Sequence, residues 1–452
     1  MSVQKNQECV VDIIDNGFEG EGIAKIDNFT IFIPGTIKGE KVKIIIVKVL
    51  SSHGFGKIVE IIEKSQARQD VDCNTYKRCG GCNLRHVKYE ETLKMKQNAV
   101  QSLVNKTLKN KLQVRETVGM ENPLHYRNKA QYPIGINKKG EPAIGVFANR
   151  THEVIPIDNC LIQNKKSEEI AKFIIEFIKE KNISIYDEKT GKGLVRHIVT
   201  KVGIKTGEIM CVIVINGHKI PNENELVENL KTRYPEIKAI VKNINMKNTN
   251  VILGQENINL YGNGYIEDIL GEYKFKISPL SFYQVNPVQA EKLYNLGVSM
   301  AEITKNDVVF DLYCGIGTIS LFMSKFAKKV YGIEIVEEAV KMAKENAQNN
   351  NVSNTEFFAG DVEIVLDDLI NNKGLKADVV MFDPPRKGLD KKSIDNILNI
   401  RPKKIVYISC NPATLIRDLA DFENEYDIKT IIPVDMFPFT SHVECVATLQ
   451  LK

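Results

Sequence analysis

The chain of 452 residues contains no tryptophan, so stacking against a flat ligand falls to Tyr, Phe, His or Arg side chains. No stretch approaches the ~18 uninterrupted apolar residues that a membrane-spanning helix needs. The opening, MSVQKNQECVVDIIDNG, alternates and carries acidic groups early, without the apolar core of a signal peptide. A cytoplasmic protein with no membrane partner is the resulting expectation. Charge of one sign is scarce too: the net of +4 is too small to argue for nucleic acid by itself. Internal repeats and low-complexity tracts are missing. Nine cysteines in a long cytosolic chain are expected to be reduced, so a disulfide framework explains them poorly.

Hydrophobic residues make up 43% and charged residues 26%, a composition able to build real cores, over a length that suits two to four domains. The small net charge hides an uneven distribution. Residues 71–138 hold thirteen Lys and Arg against five Asp and Glu, a local excess of +8 that leaves the rest of the chain net acidic. Such a segment can neutralise phosphates and release counterions. A solvated helix face from Lys94 to Lys111 accounts for part of it.

Residues 4–61 read as a small all-β unit. Val10–Ile14, Thr30–Pro34, Lys41–Val49 and Gly56–Ile62 are rich in β-branched residues and punctuated by Gly17, Gly20, Gly22, Gly35 and Gly39. This spacing predicts a five-stranded barrel resembling an OB-fold, a frequent oligonucleotide binder; a β appendage without a ligand is the plainer reading. A helix near 90–109 follows, with Leu93, Val100, Leu103, Val104 and Leu108 at helical spacing. Residues 120–275 mix strands and helices, and Ser167–Lys181 is an amphipathic helix with Ile170, Phe173, Ile174, Phe177 and Ile178 on one face. Asn286 and Pro287 mark another helix start, as N-cap and first-turn proline. From residue 306, apolar runs at 308–313, 329–334, 355–358, 377–382 and 403–409 alternate with helical stretches. That is the pattern of an α/β, doubly wound parallel sheet. The runs 428–436 and 443–451 predict an antiparallel hairpin at one edge.

Val308–Thr318 (VVFDLYCGIGT) is a buried strand running into a glycine turn, where Gly315 and Gly317 let backbone approach a ligand closely. Nineteen residues after Gly315 stands Glu334, at the end of its own strand, where an acid can accept both ribose hydroxyls of a nucleoside. Ser320 replaces the third glycine of G-x-G-x-x-G. A pyrophosphate needs that glycine; S-adenosylmethionine, which carries no phosphate, does not. Asp361 sits where an acid could meet an adenine amino group, or where it could simply cap a helix.

Lys403–Ser409 reads as a strand, then Cys410-Asn411-Pro412, then a helix from about Ala413. Cys410 is thus placed at the C-terminal edge of a parallel sheet, where ligands of such folds bind, and beside a helix N-terminus that favours thiolate. Cys314 is the rival nucleophile, but in the glycine loop it would lie under a ligand, as a filler. Cys9, Cys211 and Cys445 read as strand residues. Asp383-Pro384-Pro385-Arg386 ends the neighbouring strand; methyltransferases of exocyclic amines often carry an aromatic residue where Arg386 stands, and an arginine better suits a uracil carbonyl or a phosphate. Glu444, opening the last strand in Ser441-His442-Val443-Glu444, is a candidate base or an exposed strand residue. Cys73-x₅-Cys79-Gly-Gly-Cys82, with Cys160 following after seventy-seven intervening residues, groups three thiols with a fourth. Three local and one distant thiolate suit a [4Fe–4S] cluster, Gly80 and Gly81 letting backbone N–H groups reach the sulfurs; zinc is the alternative, although its sites more often pair C-x₂-C units.

These pieces together resemble the RNA uracil-C5 methyltransferases, in particular the bacterial 23S ribosomal RNA branch. Phe282-Tyr-Gln-Val-Asn286, Asp311-Leu-Tyr-Cys-Gly-Ile-Gly317, Asp383-Pro-Pro-Arg386, Ser409-Cys-Asn411 and Ser441-His-Val-Glu444 occur in family order, and the N-terminal β unit resembles the family's TRAM domain. The resemblance implies a class I S-adenosylmethionine-dependent methyltransferase with an OB-like barrel and a central α+β domain. It implies a TRAM domain at 1–61, a central iron–sulfur and RNA-binding domain at 62–92 and 120–270, and a catalytic domain at 93–119 and 271–452. Gln284, Tyr313, Glu334 and Asp383 match contacts to S-adenosylmethionine, Cys410 the nucleophile and Glu444 the base. Cys73, Cys79, Cys82 and Cys160 match ligands of a [4Fe–4S] cluster. The implied activity is methylation of carbon 5 of a flipped or single-stranded uridine in 23S ribosomal RNA, by a monomer. A transfer RNA T-loop enzyme, or a non-catalytic RNA-binding protein on the same fold, is the alternative.

Overall fold

The computed structural model describes residues 3–148, 151 and 153–452. The chain folds as two compact units, one of Met1–Tyr76, Gly81–Glu121 and Asp378–Lys452, the other of Lys77–Gly80 and Asn122–Ala377.

The first unit opens with a barrel of six strands, one more than expected: β1 (Glu8–Asp12), the two-residue β2 (Asp15–Asn16), β3 (Gly22–Ile26), β4 (Phe29–Ile33), β5 (Lys41–Val49) and β6 (His53–Glu63), in the order β1-β5-β6-β4-β3-β2. Alternation decides its inside. Ala24, Ile31, Ile33, Val42, Ile44 and Ile46 fill the core, while the residues between them face out. Helix α1 (Tyr89–Thr107) buries Thr92, Lys96, Val100 and Val104, a stripe at four-residue spacing that includes a lysine. The expected solvated face from Lys94 is therefore interrupted at Lys96, for the reason given below.

In the second unit a seven-stranded sheet is built from β7 (Lys129–Ile136), β8 (Pro142–Phe147), β9 (Val154–Pro156), β10 (Val195–Val202), β11 (Ile209–Ile215), β12 (Ile237–Ile244) and β13 (Glu256–Tyr261), ordered β13-β12-β11-β10-β7-β8-β9. Helices α2 (Lys165–Glu180) and α3 (Glu223–Arg233) cover it, α2 through Ile170, Ile174, Phe177 and Ile178 as its pattern predicts. A hairpin, β14 (Ile266–Leu270) and β15 (Tyr273–Ile277), leads to α4 (Pro287–Ala301). Parallel strands then alternate with helices: β16 (Val308–Leu312), α5 (Thr318–Ser324), β17 (Lys329–Glu334), α6 (Glu337–Asn349), β18 (Thr355–Ala359) and α7 (Val362–Asp367).

The first unit resumes with β19 (Val379–Phe382), α8 (Lys391–Ile400), β20 (Lys404–Ser409), α9 (Pro412–Phe422), β21 (Tyr426–Val434) and β22 (Glu444–Leu451). β19 and β20 are parallel. β22 runs antiparallel between β20 and β21, so the predicted edge hairpin forms. Helix α1 packs on α9 and β21, and the chain after it pairs with β21, Val118 donating its N–H to Pro433 O at 2.9 Å. Among the described residues, no helix is long and apolar enough to cross a membrane.

Candidate active site

In the second unit the turn from β16 to α5 bends through Tyr313 (φ 64°), Gly315 (φ 54°) and Gly317 (φ 81°), three left-handed residues in five. A Cβ on Gly315 would meet nothing within 4 Å, whereas one on Gly317 would lie 3.0 Å from Ala343 and Phe357. One glycine leaves room for a ligand and the other lets the helix pack. The Gly315 N–H donates to Glu334 Oε2 at 3.1 Å, and Glu334 Oε1 accepts from the Val336 N–H at 3.0 Å. The carboxylate at the end of β17 thus borders the glycine turn. Cys314 is a filler here: its Sγ lies 2.9 Å from where a Cβ of Gly332 would be. Burial, with Asp311 and Glu334 nearby, pushes its thiol well above the usual range.

Two further predicted donor contacts belong to this unit. Asp361 is exposed and caps α7, its Oδ1 accepting from the Glu363 N–H at 3.0 Å, so the capping role is filled. Gln284 is half-buried, and its carbonyl accepts from Asn128 Nδ2 at 3.0 Å. Lys201 braces the start of the same segment, donating to Ser278 O at 2.7 Å and Ser281 O at 2.9 Å, while burial lowers its pKa to about 7. Asn286 caps α4 as its sequence predicts, accepting from the Gln289 N–H at 3.2 Å.

The other strand-to-helix turn, from β20 to α9, lies in the first unit. Asn411 caps α9 by accepting from the Ala413 N–H at 3.1 Å, and its Nδ2 donates to Arg386 O at 3.1 Å. That side chain therefore fixes both the helix start and the Asp383–Arg386 loop. The β20–β22 register pairs Ser409 with Cys445, so one step further along Cys410 stands opposite Glu444. Glu444 is buried, not the exposed strand residue that the sequence also allowed. Burial, and then the neighbouring Asp383 carboxyl, hold its carboxyl well above the usual carboxylate range against the opposing pull of Arg386. Burial raises Asp383 as well. The Cys410 thiol is pushed up by burial, then by Glu444 and Asp383, with Arg386 opposing. This corrects the expectation that the helix N-terminus favours thiolate: desolvation and two acids outweigh it. The structure brings Cys410, Glu444, Asp383 and Arg386 together.

Sequence reasoning missed what holds the loop leading to Glu444. Lys96 of α1 pairs with Asp435, both buried, which explains the lysine in the helix's inner stripe. Tyr89 Oη donates to Asp435 Oδ2 at 2.7 Å and Lys96 Nζ to Phe437 O at 3.3 Å. Breaking such a buried pair from one side costs about 3–5 kcal/mol. Beyond it, Asn83 and Ser441 exchange hydrogen bonds at 3.0 Å, and the Arg85 guanidinium lies 4.0 Å from the Phe439 ring centroid.

None of the nine cysteines is in a disulfide. In the second unit burial pushes the Cys160 thiol up, with Cys79 close enough to raise it further, against the N–H groups of Ile162 and Gln163 that donate to its sulfur. In the first unit Cys73 Sγ lies 3.4 Å from Thr75 Oγ1, and Cys82 borders Tyr76. Among the described residues, no group of three or more His, Cys, Asp or Glu side chains is assembled around a metal position.

A parallel sheet with its glycine turn, preceded by an OB-like barrel, defines a class I S-adenosylmethionine-dependent methyltransferase carrying an RNA-binding module. Residues 88–452 match the family described as tRNA (uracil-5-)-methyltransferase, and residues 2–59 match the TRAM domain. The chain belongs to the tRNA (uracil-5-)-methyltransferase family. It is 48% identical to an uncharacterized RNA methyltransferase of Clostridium acetobutylicum, over 99% of this chain and 98% of that one. An uncharacterized RNA methyltransferase of Staphylococcus aureus is 43% identical over the whole of both chains. The crystal structure of the Pyrococcus abyssi tRNA (uracil-54, C5)-methyltransferase with S-adenosyl-L-homocysteine is similar in fold, with a TM-score of 0.77 and 26% identity over 98% of this chain and 100% of that one. The protein is thus an RNA methyltransferase that takes S-adenosylmethionine as donor.

Proposed function

We propose that the protein methylates carbon 5 of a uridine in bacterial 23S ribosomal RNA, in the cytoplasm, through a covalent bond from Cys410 to carbon 6. The observation that carries this reading is the juxtaposition of Cys410 and Glu444 across the β20–β22 register, beside Asp383 and Arg386. Carbon 5 of uracil is a poor nucleophile and has to be activated. Cys410, a thiol at rest, first gives up its proton to solvent; the resulting thiolate adds to carbon 6, and the displaced electron pair forms the enolate of carbons 5 and 4. Carbon 5 takes the methyl group from the sulfonium sulfur, leaving S-adenosylhomocysteine. The ionised form of Glu444 removes the carbon 5 proton, and the returning electron pair expels the Cys410 thiolate. A carboxylate held above its usual range is a stronger base for that step. Arg386 suits a uracil carbonyl or a phosphate, and the uridine enters unstacked.

Gln284, Tyr313, Glu334, Asp361 and Asp383 are assigned to the methyl donor, the open side of Gly315 supporting a close backbone approach. Cys73, Cys79, Cys82 and Cys160 are assigned to a [4Fe–4S] cluster of structural role, supported by the N–H donors at the Cys160 sulfur. The catalytic domain is taken as 93–119 with 271–452, and the central domain as 62–92 with 120–270. The TRAM barrel together with the four cysteines favours ribosomal over transfer RNA. A second reading, a transfer RNA enzyme, draws on the Pyrococcus likeness.

Mapping 5-methyluridine in a deletion strain separates them. Loss from 23S ribosomal RNA is expected; loss from transfer RNA establishes the second reading, and loss from neither overturns both. With substrate RNA, Glu444→Gln is expected to accumulate a protein–RNA adduct, because proton removal is slowed after the bond to carbon 6 has formed.

A further inference from the structure

The outer wall of the N-terminal barrel carries an aromatic cluster that the reaction does not use. Phe32 on β4 is in register with Phe55 on the parallel β6, and Thr30 with His53. Between these outward residues, Gly54 and Gly56 face inward, where a Cβ would come within 2.9 Å of Ile31 and of Ile44 respectively. The glycines let the wall close tightly on the barrel core. His53 and Phe55 are thereby set on the outside, half-buried, beside a half-buried Phe32. The three rings lie edge-on or tilted to one another: Phe32–His53 at 5.4 Å, His53–Phe55 at 5.3 Å and Phe32–Phe55 at 6.0 Å between centroids. Ser52 Oγ, 3.0 Å from His53 Nδ1, fixes the imidazole.

Cations surround this cluster. Lys48 pairs in register with Phe55, Lys25 with Thr30, and Lys57 follows Phe55 on the same outward face. All three lysines are exposed, and none enters an ion pair among the described residues. The remaining members of these rows are Ile23, Thr30, Ile45 and, on β1 beyond Ile45, the exposed Glu8, whose carboxylate is already paired with Lys43. Rings held in place beside uncompensated positive charge are what a single-stranded nucleic acid needs: faces for its bases and cations for its backbone. Exposed Val47, Val49 and Val59 extend the apolar area along β5 and β6, but the lysines set among the rings favour a phosphate backbone over a protein, whose interface cores are depleted in lysine.

We propose that Phe32, His53 and Phe55 form a stacking platform for unpaired bases of the RNA, with Lys25, Lys48 and Lys57 following its phosphates. This rests on the protein's being an RNA methyltransferase and adds where, and by what contact, flanking nucleotides are held. Stacking is tolerant of sequence, so the platform anchors a strand and leaves the choice of uridine to the catalytic unit.

The test uses the full-length protein and an oligouridylate of about ten nucleotides carrying 2-aminopurine, with a duplex of equal length as comparison. Wild type is expected to bind the single strand and quench 2-aminopurine by stacking. Phe55→Ala is expected to weaken single-strand binding by roughly fivefold to a hundredfold and to abolish quenching. The slope of log affinity against log salt should stay unchanged in that variant. Lys48→Ala should retain quenching and lose about 0.7 from that slope. Phe55→Leu keeps an apolar filler at the site and guards against loss of fold, as does unchanged S-adenosylhomocysteine binding. Wild-type affinity and quenching in both Phe55 variants would overturn the platform, as would failure of the wild type to bind the single strand. If the wild type methylates RNA while the variants bind it unaltered, only the platform fails; absence of any methylation would remove the enzymatic reading instead.

Discussion

Two turns in this protein lead from a parallel strand into a helix with a cysteine at the corner, and they are built in opposite ways. The Leu312–Thr318 turn runs through left-handed Tyr313, Gly315 and Gly317, exposing backbone, and buries Cys314 against Gly332. The Ser409–Pro412 turn contains no left-handed residue; it is extended at Asn411 (φ −136°), capped by that side chain, and leaves Cys410 half-buried. Glycine at a corner presents main chain to a ligand, whereas an asparagine cap presents the side chain that precedes it. Both thiols are raised, but their neighbours differ. Cys314 is enclosed with Asp311 and Glu334, while Cys410 also faces Arg386, the cation that lowers its pKa. The first turn is suited to holding a nucleoside and the second to attacking a base.

The sharpest way to break this comparison is to exchange the roles of the cysteines. Cys410→Ala is expected to reduce methyl transfer by at least about 10,000-fold while S-adenosylhomocysteine still binds. Cys314→Ala should keep the reaction and cost about 1 kcal/mol of stability by leaving a small cavity. Radiolabelled methyl transfer to RNA, alongside calorimetric binding of S-adenosylhomocysteine, reads both. Activity in the Cys410 variant, or its loss in a folded Cys314 variant, would assign the nucleophile to the wrong turn.

A smaller effect tests the backbone side. Gly315→Ala meets no steric conflict, so its cost is that of an L-residue held at φ 54°, about 1–2 kcal/mol, together with a methyl group on the open side of the turn. The strain lowers stability, whereas the methyl group stands on the side from which the donor would approach, so S-adenosylhomocysteine affinity is expected to fall without impairing the Cys410 side. Unchanged affinity would show that the donor does not approach the Gly315 backbone.

Much of this was legible because periodicity and punctuation are local. The strands from residue 308 onward, the edge hairpin, and the Asn286 and Asn411 caps follow from spacing and residue type within a short window. Asp361 illustrates a limit: the same carboxylate suits a nucleoside contact and a helix cap, and its Oδ1 caps α7 without excluding the other role. The contacts left unread join distant parts of the chain. Nothing near Lys96 announces Asp435, and nothing near Asn83 announces Ser441. The charge state of Cys410 was misjudged for the same reason: the helix N-terminus is adjacent in sequence, whereas the opposing carboxyls arrive from β22 and from the end of β19. The aromatic wall could have been found, since His53 and Phe55 alternate with Gly54 and Gly56 in β6 and Phe32 lies between inward Ile31 and Ile33 in β4.

The finest effect concerns those carboxyls. Glu444 and Asp383 both hold their protons above the usual carboxylate range, burial being the first cause for each and Asp383 adding to Glu444. A group whose pKa is higher in the folded state favours folding fully at pH below its unfolded pKa, and that contribution is lost as pH rises through the folded value. The wild type should therefore lose stability from about pH 5 towards about pH 9. Glu444→Gln cannot ionise and escapes its share of that loss. Its melting temperature should exceed the wild type's by a margin that widens with pH, at about 2–4 °C for each kcal/mol released. Asp383→Asn should recover part of the same margin by removing the neighbour that raises Glu444. The Cys314→Ala variant should show a constant offset up to about pH 8, and above that the offset narrows as the wild-type thiol ionises in the unfolded chain only. A margin for Glu444→Gln that is flat with pH would mean that the carboxyl opposite Cys410 is ionised in the resting protein, and that the two turns differ less in electrostatics than in shape.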